Sequence, residues 1–298
     1  MTQSPQHLFY PSVFRTMATS GYNSDAAAAT AVSPSSAAAA AALANADAEQ
    51  ARLMSERVLL VDVNDSITGS ASKVDAHLLS GGLPLHRAFS VFLFDADRRL
   101  CLQRRAGTKL TFPGYWTNTC CSHPLAGGAE VDGVGGAAVA AVRKLGHELG
   151  ITAGGDRGIA VDDLVYMTRV HYRAASGGAG GQQGVGGGTK VDVGDGGEDP
   201  TAAAAAAGAV WGEHEIDYVF VATKDVDVVP EPNEVSELAW VGPDRLRAML
   251  NGDGGVAVTP WCRAIAERFV FEWWPKVDDR TTLVSHRDAD TIHRFGDC

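Results

Sequence analysis

Two hydrophobic periods divide the chain into elements. From His86, the run Ala88-Phe89-Ser90-Val91-Phe92-Leu93-Phe94, a turn at Asp95-Ala96-Asp97, and Leu100-Cys101-Leu102-Gln103 predict two mostly buried strands joined as a β-hairpin. Val165 to Tyr172 and Glu215 to Ala222 predict two further strands, and joining them as a hairpin puts a Gly-rich block at its tip. Ala138, Ala141, Val142, Leu145 and Leu149 fall at helical spacing, with Gly150 as the stop signal. Lys144 and Glu148, four apart, share a flank of that helix. Thr259-Pro260 supplies an N-cap and a proline at N1 for a last helix, whose stripe Trp261, Ile265 and Phe269 runs into Trp273 and Trp274. Strands and helices interleave through short links, which predicts one α/β domain built on a sheet from about Ser55 to Asp279. Residues 280–298 follow as a C-terminal extension.

Two stretches lack either period. Met1 to about Ala51 is rich in Ala, Ser, Thr and Asn, with His7 and Arg15 and no acidic residue before Asp25, the composition of a transit peptide. An ordinary disordered tail is the alternative. Phe9 and Phe14 within the acid-free stretch favour a plastid; the alternatives are the mitochondrion and the cytoplasm. The second stretch, Ala174 to Ala209, is Gly-rich with an alanine run over Ala202 to Ala207. It cannot bury enough apolar surface to offset its ordering entropy, so it reads as a flexible loop that interrupts a domain without dividing it. The alanine run at Ala37 to Ala42 is far short of the roughly 20 apolar residues of a membrane span, so no stable membrane insertion is expected.

Charge narrows the partners. The 298 residues include 25 Lys+Arg against 36 Asp+Glu, a net charge of −11, which repels nucleic acid and anionic membrane surfaces at long range. An anionic ligand must therefore meet a local basic pocket. With 45% hydrophobic residues the chain can build a core. Cys101, Cys120, Cys121, Cys262 and Cys298 are an odd number with no C-x-x-C pair, the pattern of a reducing compartment and not of a disulfide scaffold or zinc ribbon.

Candidate chemistry lies in two clusters. Phe112-Pro-Gly-Tyr-Trp-Thr-Asn-Thr-Cys-Cys-Ser-His-Pro124 gathers aromatic, amide, thiol and imidazole groups on a loop pinned by Pro and Gly. Its bland reading is a buried cysteine pair beside a surface histidine. Trp211-Gly-Glu-His-Glu-Ile-Asp-Tyr218 opens a strand, so Glu213 and Glu215 project to one face and His214 to the other. Two adjacent carboxylates repel unless a cation lies between them or one holds a proton. If His77, His86 and His123 converge on that face, three imidazoles and two carboxylates make a five-ligand site for zinc or another divalent metal. Each histidine taken alone reads equally as solvated or structural.

These motifs resemble the type I isopentenyl-diphosphate isomerases, metal-dependent relatives of the Nudix hydrolases. The resemblance spans Val58 to Trp274 and rests on Leu85-His-Arg-Ala-Phe-Ser-Val-Phe-Leu-Phe94, Phe112-Pro-Gly, Thr117-Asn-Thr-Cys-Cys-Ser-His-Pro-Leu125, the Trp211 to Tyr218 run and Thr259-Pro-Trp261. It implies a Nudix-like fold, mixed β-sheets sandwiched between helices in a single domain, and the reversible allylic proton shift between isopentenyl and dimethylallyl diphosphate that feeds isoprenoid synthesis. Position by position it implies Cys121 and Glu215 as the acid–base pair, with Cys120 a non-catalytic neighbour. It implies His77, His86, His123, Glu213 and Glu215 as ligands of one divalent metal (Zn²⁺, Mn²⁺ or Mg²⁺). Lys73, Arg105, Lys109 and Lys144 fall at basic positions around the diphosphate, and Glu148 at a carboxylate that helps hold a diphosphate-bridging Mg²⁺. Tyr172 and Trp261 fall at aromatic positions of the isoprenyl pocket. The resemblance is silent on oligomeric state.

The chain departs from a Nudix hydrolase where Arg143-Lys144-Leu145-Gly146-His147-Glu148-Leu149-Gly150 carries Lys144 in place of a catalytic-helix glutamate and keeps only Glu148 of the later pair. That disfavours the first competing reading, a diphosphate hydrolase. The second, a binding module without turnover, is disfavoured by the intact Cys121 and Glu215. The Gly-rich insertion is expected to hang in solvent and not to slow closure, since loop length adds only slowly to closure cost.

Overall fold

The computed structural model describes residues 36–176 and 210–297. In chain order the strands are β1 (Arg57–Val61), β2 (Ile67–Ser72), β3 (His86–Phe94), β4 (Leu100–Arg105), β5 (Trp116–Thr117), β6 (Cys120–Ser122), β7 (Val165–Ser176), β8 (Trp211–Thr223), β9 (Val235–Val241) and β10 (Ile292–Asp297). The helices are α1 (Ser36–Leu43), α2 (Ala48–Leu53), α3 (Lys73–His77), α4 (Gly133–Leu149), α5 (Pro243–Leu250), α6 (Pro260–Ile265) and α7 (Arg280–Ser285).

Every residue of β3 is buried, because both of its faces are covered. Phe89, Val91 and Leu93 pack with Ala137, Ala138, Ala141, Leu145 and Leu149 of α4. Phe92 and Phe94 point the other way, into a core with Trp261, Ile265, Phe269, Trp273 and Trp274. The strand period of 2 thus feeds two helical layers from one strand, and truncating Phe92 to Ala would open a cavity costing about 3–5 kcal/mol. The C-terminal layer continues from α6 through a π-helical turn (Ala266–Val270) into Phe271–Trp273. Helix α4 ends as its sequence predicts: Gly150 has φ +63°, and a Cβ there would lie 2.6 Å from the Val229 carbonyl oxygen.

The sheet order is β10-β7-β8-β3-β1-β2, with β6 also on β3, and with β4 carrying β5 and β9. β3 runs parallel to β8, with His86 opposite Glu215. β7 and β8 form the expected antiparallel hairpin, with Tyr172 opposite Glu215 and Ser176 opposite Trp211. Ala174, Ala175 and Ser176, assigned above to the loop, belong to strand β7; the rest of that insertion, residues 177–209, lies outside the described residues.

Four expectations need correction. The hairpin of β3 and β4 is a single pairing, Phe94 with Leu100. Beyond it the strands part, and Thr119 fills the gap: its hydroxyl accepts from the Leu93 amide (2.9 Å) and donates to the Cys101 carbonyl (2.7 Å). β4 is thereby free to pair with β9 and β5. Residues 36–51, read as tail, form α1 and α2; residues 1–35 lie outside the described residues. Asp47 caps α2 by accepting from the Glu49 and Gln50 amides, and Ala39, Ala42 and Leu43 of α1 pack on Met54, Val74 and Leu78. The C-terminal extension is part of the sheet, since β10 adds a parallel edge strand to β7. Thr259 stands at the N-cap, but its hydroxyl bonds to Thr117 Oγ1 (2.8 Å) and not to the helix. Among the described residues no helix is long and apolar enough to cross a membrane.

Candidate active site

Strand alternation separates the two adjacent cysteines. In β6, Cys120 pairs with Val91 and Cys121 with Ser90. Cys120 faces the α4 layer, fully buried, where its thiol donates to Glu148 Oε2 (3.6 Å). Cys121 faces the opposite way and lines a cavity together with Glu215, Tyr172 and Trp261. Arg105 Nη1 and Thr117 Oγ1 each lie 3.9 Å from its sulfur. Burial pushes the Cys121 thiol up to about 12, against the opposing charge of Arg105, so it carries its proton at neutral pH.

The Phe112-to-Pro124 loop also fixes the aromatic wall. Asn118 Nδ2 donates to the carbonyls of Val91 (3.2 Å) and Cys120 (2.9 Å), while its Oδ1 accepts from Trp261 Nε1 (3.2 Å). The Trp261 ring stacks on Tyr172 at 6.0 Å, meets the edge of Phe112 at 5.1 Å, and has the Arg105 guanidinium 5.8 Å from its centroid. Phe112 itself is left-handed, with φ +46°, and its amide donates to Ser176 Oγ (2.8 Å). Such strain in a bulky residue persists where the surroundings over-determine it, and here it aims the ring at Trp261.

The five candidate metal ligands do converge. Glu213 and Glu215 share one face of β8, while His214 lies across the sheet with His171, their Nε2 atoms 3.0 Å apart. α3 delivers His77, the start of β3 delivers His86, and the turn after β6 delivers His123. One ligand atom from each of the five lies within 4.8 Å of the others, and all five residues are buried. His77 Nδ1–H donates to the Lys73 carbonyl (2.6 Å) and His86 Nδ1–H to the Pro84 carbonyl (2.9 Å), so both Nε2 lone pairs face inward. His86 Nε2 and Glu213 Oε2 are buried without a hydrogen-bond partner, although Glu213 Oε2 lies 2.7 Å from His77 Nε2. This crowding of nitrogen and oxygen donors, with His123 Nε2 also 2.7 Å from Glu215 Oε1, fits a divalent cation between them. Burial alone would raise Glu215, but the His86 imidazole 3.5 Å away and the hydrogen bond from Tyr172 outweigh it and hold the carboxyl below its ordinary value. Burial, with His77 and Lys73 nearby, holds His123 well below its ordinary value.

Of the basic set, Lys73, Arg105 and Lys109 line the cavity together with Cys121, Glu215, Tyr172 and Trp261. Burial of the Lys73 ammonium, with Lys109 and Lys144 nearby, pulls its pKa down to about 8. Lys144 and Glu148 lie beside the cavity and do not line it. They pair at 3.2 Å, and Glu148 also accepts from Gln103 Nε2 (3.0 Å). Two site residues carry no signal in the sequence. Glu234, just before β9, accepts from the Lys109 ammonium, and Gln50 of α2 lines the cavity. Glu234 belongs to no motif read above, and Gln50 sits in a segment whose composition reads as tail.

The NUDIX domain model matches residues 84–262. A Bos taurus protein named isopentenyl-diphosphate Delta-isomerase 1 is 36% identical over 256 residues, covering 84% of this chain and 96% of its own. The chain belongs to the isopentenyl-diphosphate isomerase branch of the Nudix family. A Phaffia rhodozyma member, isopentenyl-diphosphate delta-isomerase, is 40% identical over 84% of this chain and 89% of its own. A Cannabis sativa member, named isopentenyl-diphosphate Delta-isomerase 1, chloroplastic, is 38% identical over 84% of this chain and 78% of its own. Membership accounts for the mixed sheet between helical layers.

Proposed function

We propose that this chain is an isopentenyl-diphosphate Delta-isomerase in which Cys121 and Glu215 exchange protons with the two ends of an allylic unit. The observation that carries the reading is that the Cys121 thiol and the Glu215 carboxyl line one cavity, with Trp261 on its wall. Shifting the double bond needs a proton added to the terminal methylene and another removed from the carbon on the far side of the branch. When the reaction reverses the roles swap, and each group regains its own starting protonation state. Between the two steps a tertiary cation develops at the branch carbon, and the Trp261 π face stabilises it by about 0.5–2 kcal/mol. Tyr172 donates to Glu215 and keeps that carboxylate oriented. Lys73, Arg105 and Lys109 supply the local positive charge that the chain as a whole lacks, binding the diphosphate and fixing the reacting carbons between acid and base.

His77, His86, His123, Glu213 and Glu215 would hold one divalent metal, Zn²⁺, Mn²⁺ or Mg²⁺, whose charge tunes the proton affinity of Glu215. Glu148, held beside the cavity by Lys144 and Gln103, would supply a carboxylate to a Mg²⁺ that accompanies the diphosphate. Lys144 in the catalytic helix leaves too few carboxylates there for the metal cluster of a hydrolase. The acid-poor start of the sequence, together with relatives from Cannabis sativa and Arabidopsis thaliana named chloroplastic, supports a plastid destination. The test is to incubate the full chain with isopentenyl diphosphate and Mg²⁺ while following both dimethylallyl diphosphate and free phosphate. Isomer without phosphate is expected; phosphate release would favour a hydrolase, and neither product a binding module.

A further inference from the structure

Gln50 reaches the site from the N-terminal side, across 183 residues of sequence. It is only 4% exposed although it stands on a six-residue helix at the edge of the molecule. Its amide nitrogen donates to Asn233 Oδ1 (2.7 Å) and Glu234 Oε1 (3.0 Å), and approaches the Asn233 carbonyl at 3.2 Å. Glu234 gives its other oxygen, Oε2, to the Lys109 ammonium. Two further contacts clamp the same turn: Asp47 Oδ1 accepts from Asn233 Nδ2 (2.9 Å), and Thr108 Oγ1 donates to the Asn233 carbonyl (2.9 Å). One bonded chain therefore runs from helix α2 through Gln50 and Glu234 to Lys109, and Gln50, Lys109 and Lys73 line one cavity.

A carboxylate that is free to turn can hold a neighbouring ammonium with either oxygen, and so fixes neither its own rotamer nor that of the lysine. With Oε1 occupied by a neutral amide, Glu234 offers Lys109 one oxygen, and the remaining ammonium protons are left for a ligand. Burying a primary amide against a carboxylate also carries a desolvation cost that the apolar packing of α2, which rests on Leu53, does not require. We infer that Gln50 is a positioning residue for the diphosphate, orienting Glu234 so that Lys109 presents its ammonium to the cavity, and that helix α2 is thereby part of the substrate site. The inference rests on the proposed function, because it takes the cavity's anion to be a diphosphate.

The test uses the full chain, with wild type assayed first for isomer formation. Gln50→Ala should raise KM for isopentenyl diphosphate about tenfold while kcat stays within about threefold, as loss of one hydrogen bond to a charged group predicts. The Kd of inorganic pyrophosphate with Mg²⁺, measured by calorimetry, should rise by a similar factor. Arg52→Ala, on the same helix but exposed and paired with Glu49, should change neither constant. Unchanged KM and Kd in Gln50→Ala would overturn the inference, as would a lowered melting temperature with both constants at wild-type values. A wild type that binds pyrophosphate but makes no isomer would refute the proposed function instead, and the pyrophosphate Kd of the variant would still decide the role of Gln50.

Discussion

Tyr172 and Glu215 stand directly opposite each other on β7 and β8, and the phenol donates its hydrogen to Glu215 Oε2. The Tyr172 hydroxyl is fully buried in the cavity wall, and its own pKa is pushed well above 10 by burial and by Glu215. It therefore acts as a permanent donor. Tyr172→Phe removes that donor while keeping the ring that stacks on Trp261, so the isoprenyl pocket stays intact. The expected result is a fall in kcat of about tenfold or more with KM within about twofold. Equal kcat in the two proteins would show that Glu215 needs no such orientation.

The neighbouring cysteines make a sharper comparison. Cys121→Ala should abolish isomerisation and leave the fold intact, because the side chain lines the cavity and is only partly buried against the core. Cys120→Ala removes a thiol that donates to Glu148 and packs under α4, so a loss of stability of about 1–2 kcal/mol with substantial turnover is expected. Circular dichroism melts and single-turnover rates separate the two effects. Equal losses of rate would refute the assignment.

How far the sequence alone predicts these features varies with the range of the interactions. The β7/β8 hairpin and the assignment of Glu213 and Glu215 to one face with His214 on the other both follow from local alternation, and the structure reproduces them. Helix α4 and its Gly150 cap were legible for the same reason. The β3/β4 hairpin was not, because the pairing is broken by Thr119, a residue from a later loop that no local pattern connects to Leu93 and Cys101. Helix α2 was hidden by its alanine-rich surroundings, although Asp47 is an ordinary cap. Convergence of the five metal ligands came from resemblance, since spacing cannot bring His77 to Glu213. Glu234 was silent because its role is defined by Lys109, 125 residues away.

The metal cluster predicts a linkage between stability and divalent cation. With His86 Nε2 and Glu213 Oε2 buried and unpartnered, the folded chain stores a desolvation cost that a bound cation relieves. Stripping the protein with a chelator should lower its melting temperature, and adding Zn²⁺, Mn²⁺ or Mg²⁺ back should restore it. At 100 times Kd the gain is about 2.7 kcal/mol. His86→Ala should lose this response. A melting temperature indifferent to chelation would count against a resident metal.

A second histidine pair predicts a pH dependence away from the cavity. Arg294 Nη1 donates to His171 Nδ1 (2.8 Å), His171 and His214 Nε2 atoms face each other at 3.0 Å, and His214 Nδ1–H donates to the Leu83 carbonyl (2.8 Å). That chain is complete with both rings neutral. Burial, with His214 and Arg294 adding to it, lowers His171 from 6.5 to about 4. Below pH 6.5 the unfolded chain thus binds a proton that the folded chain refuses, so this contribution to stability is intact above pH 6.5 and is lost as pH falls toward 4. Urea titrations at intervals across that window should show a declining unfolding free energy, and His171→Asn should flatten the decline. An equally steep decline in the variant would assign it to other groups.

The Gly-rich insertion offers a test of where the working domain ends. β7 runs to Ser176 and β8 begins at Trp211, so removing 177–209 and joining the strands through Asn-Gly and the retained Val210, whose carbonyl accepts from the Leu79 amide, gives a three-residue hairpin loop. Such a protein should melt within about 2 °C of wild type and keep KM and kcat, because the whole β7/β8 pairing from Val165 to Ser176 is kept. Extending the deletion back to Ala174 has a different consequence. It removes Ser176 Oγ, the acceptor of the strained Phe112 amide, and unpairs Ala174 from Glu213. Leaving that buried amide unpartnered costs about 1–3 kcal/mol. The freed Phe112 also supports Trp261, so the longer deletion should lower kcat as well as melting temperature. If instead the shorter deletion reduced kcat, residues 177–209 would have to act on the site, and the loop would not be a passive insertion.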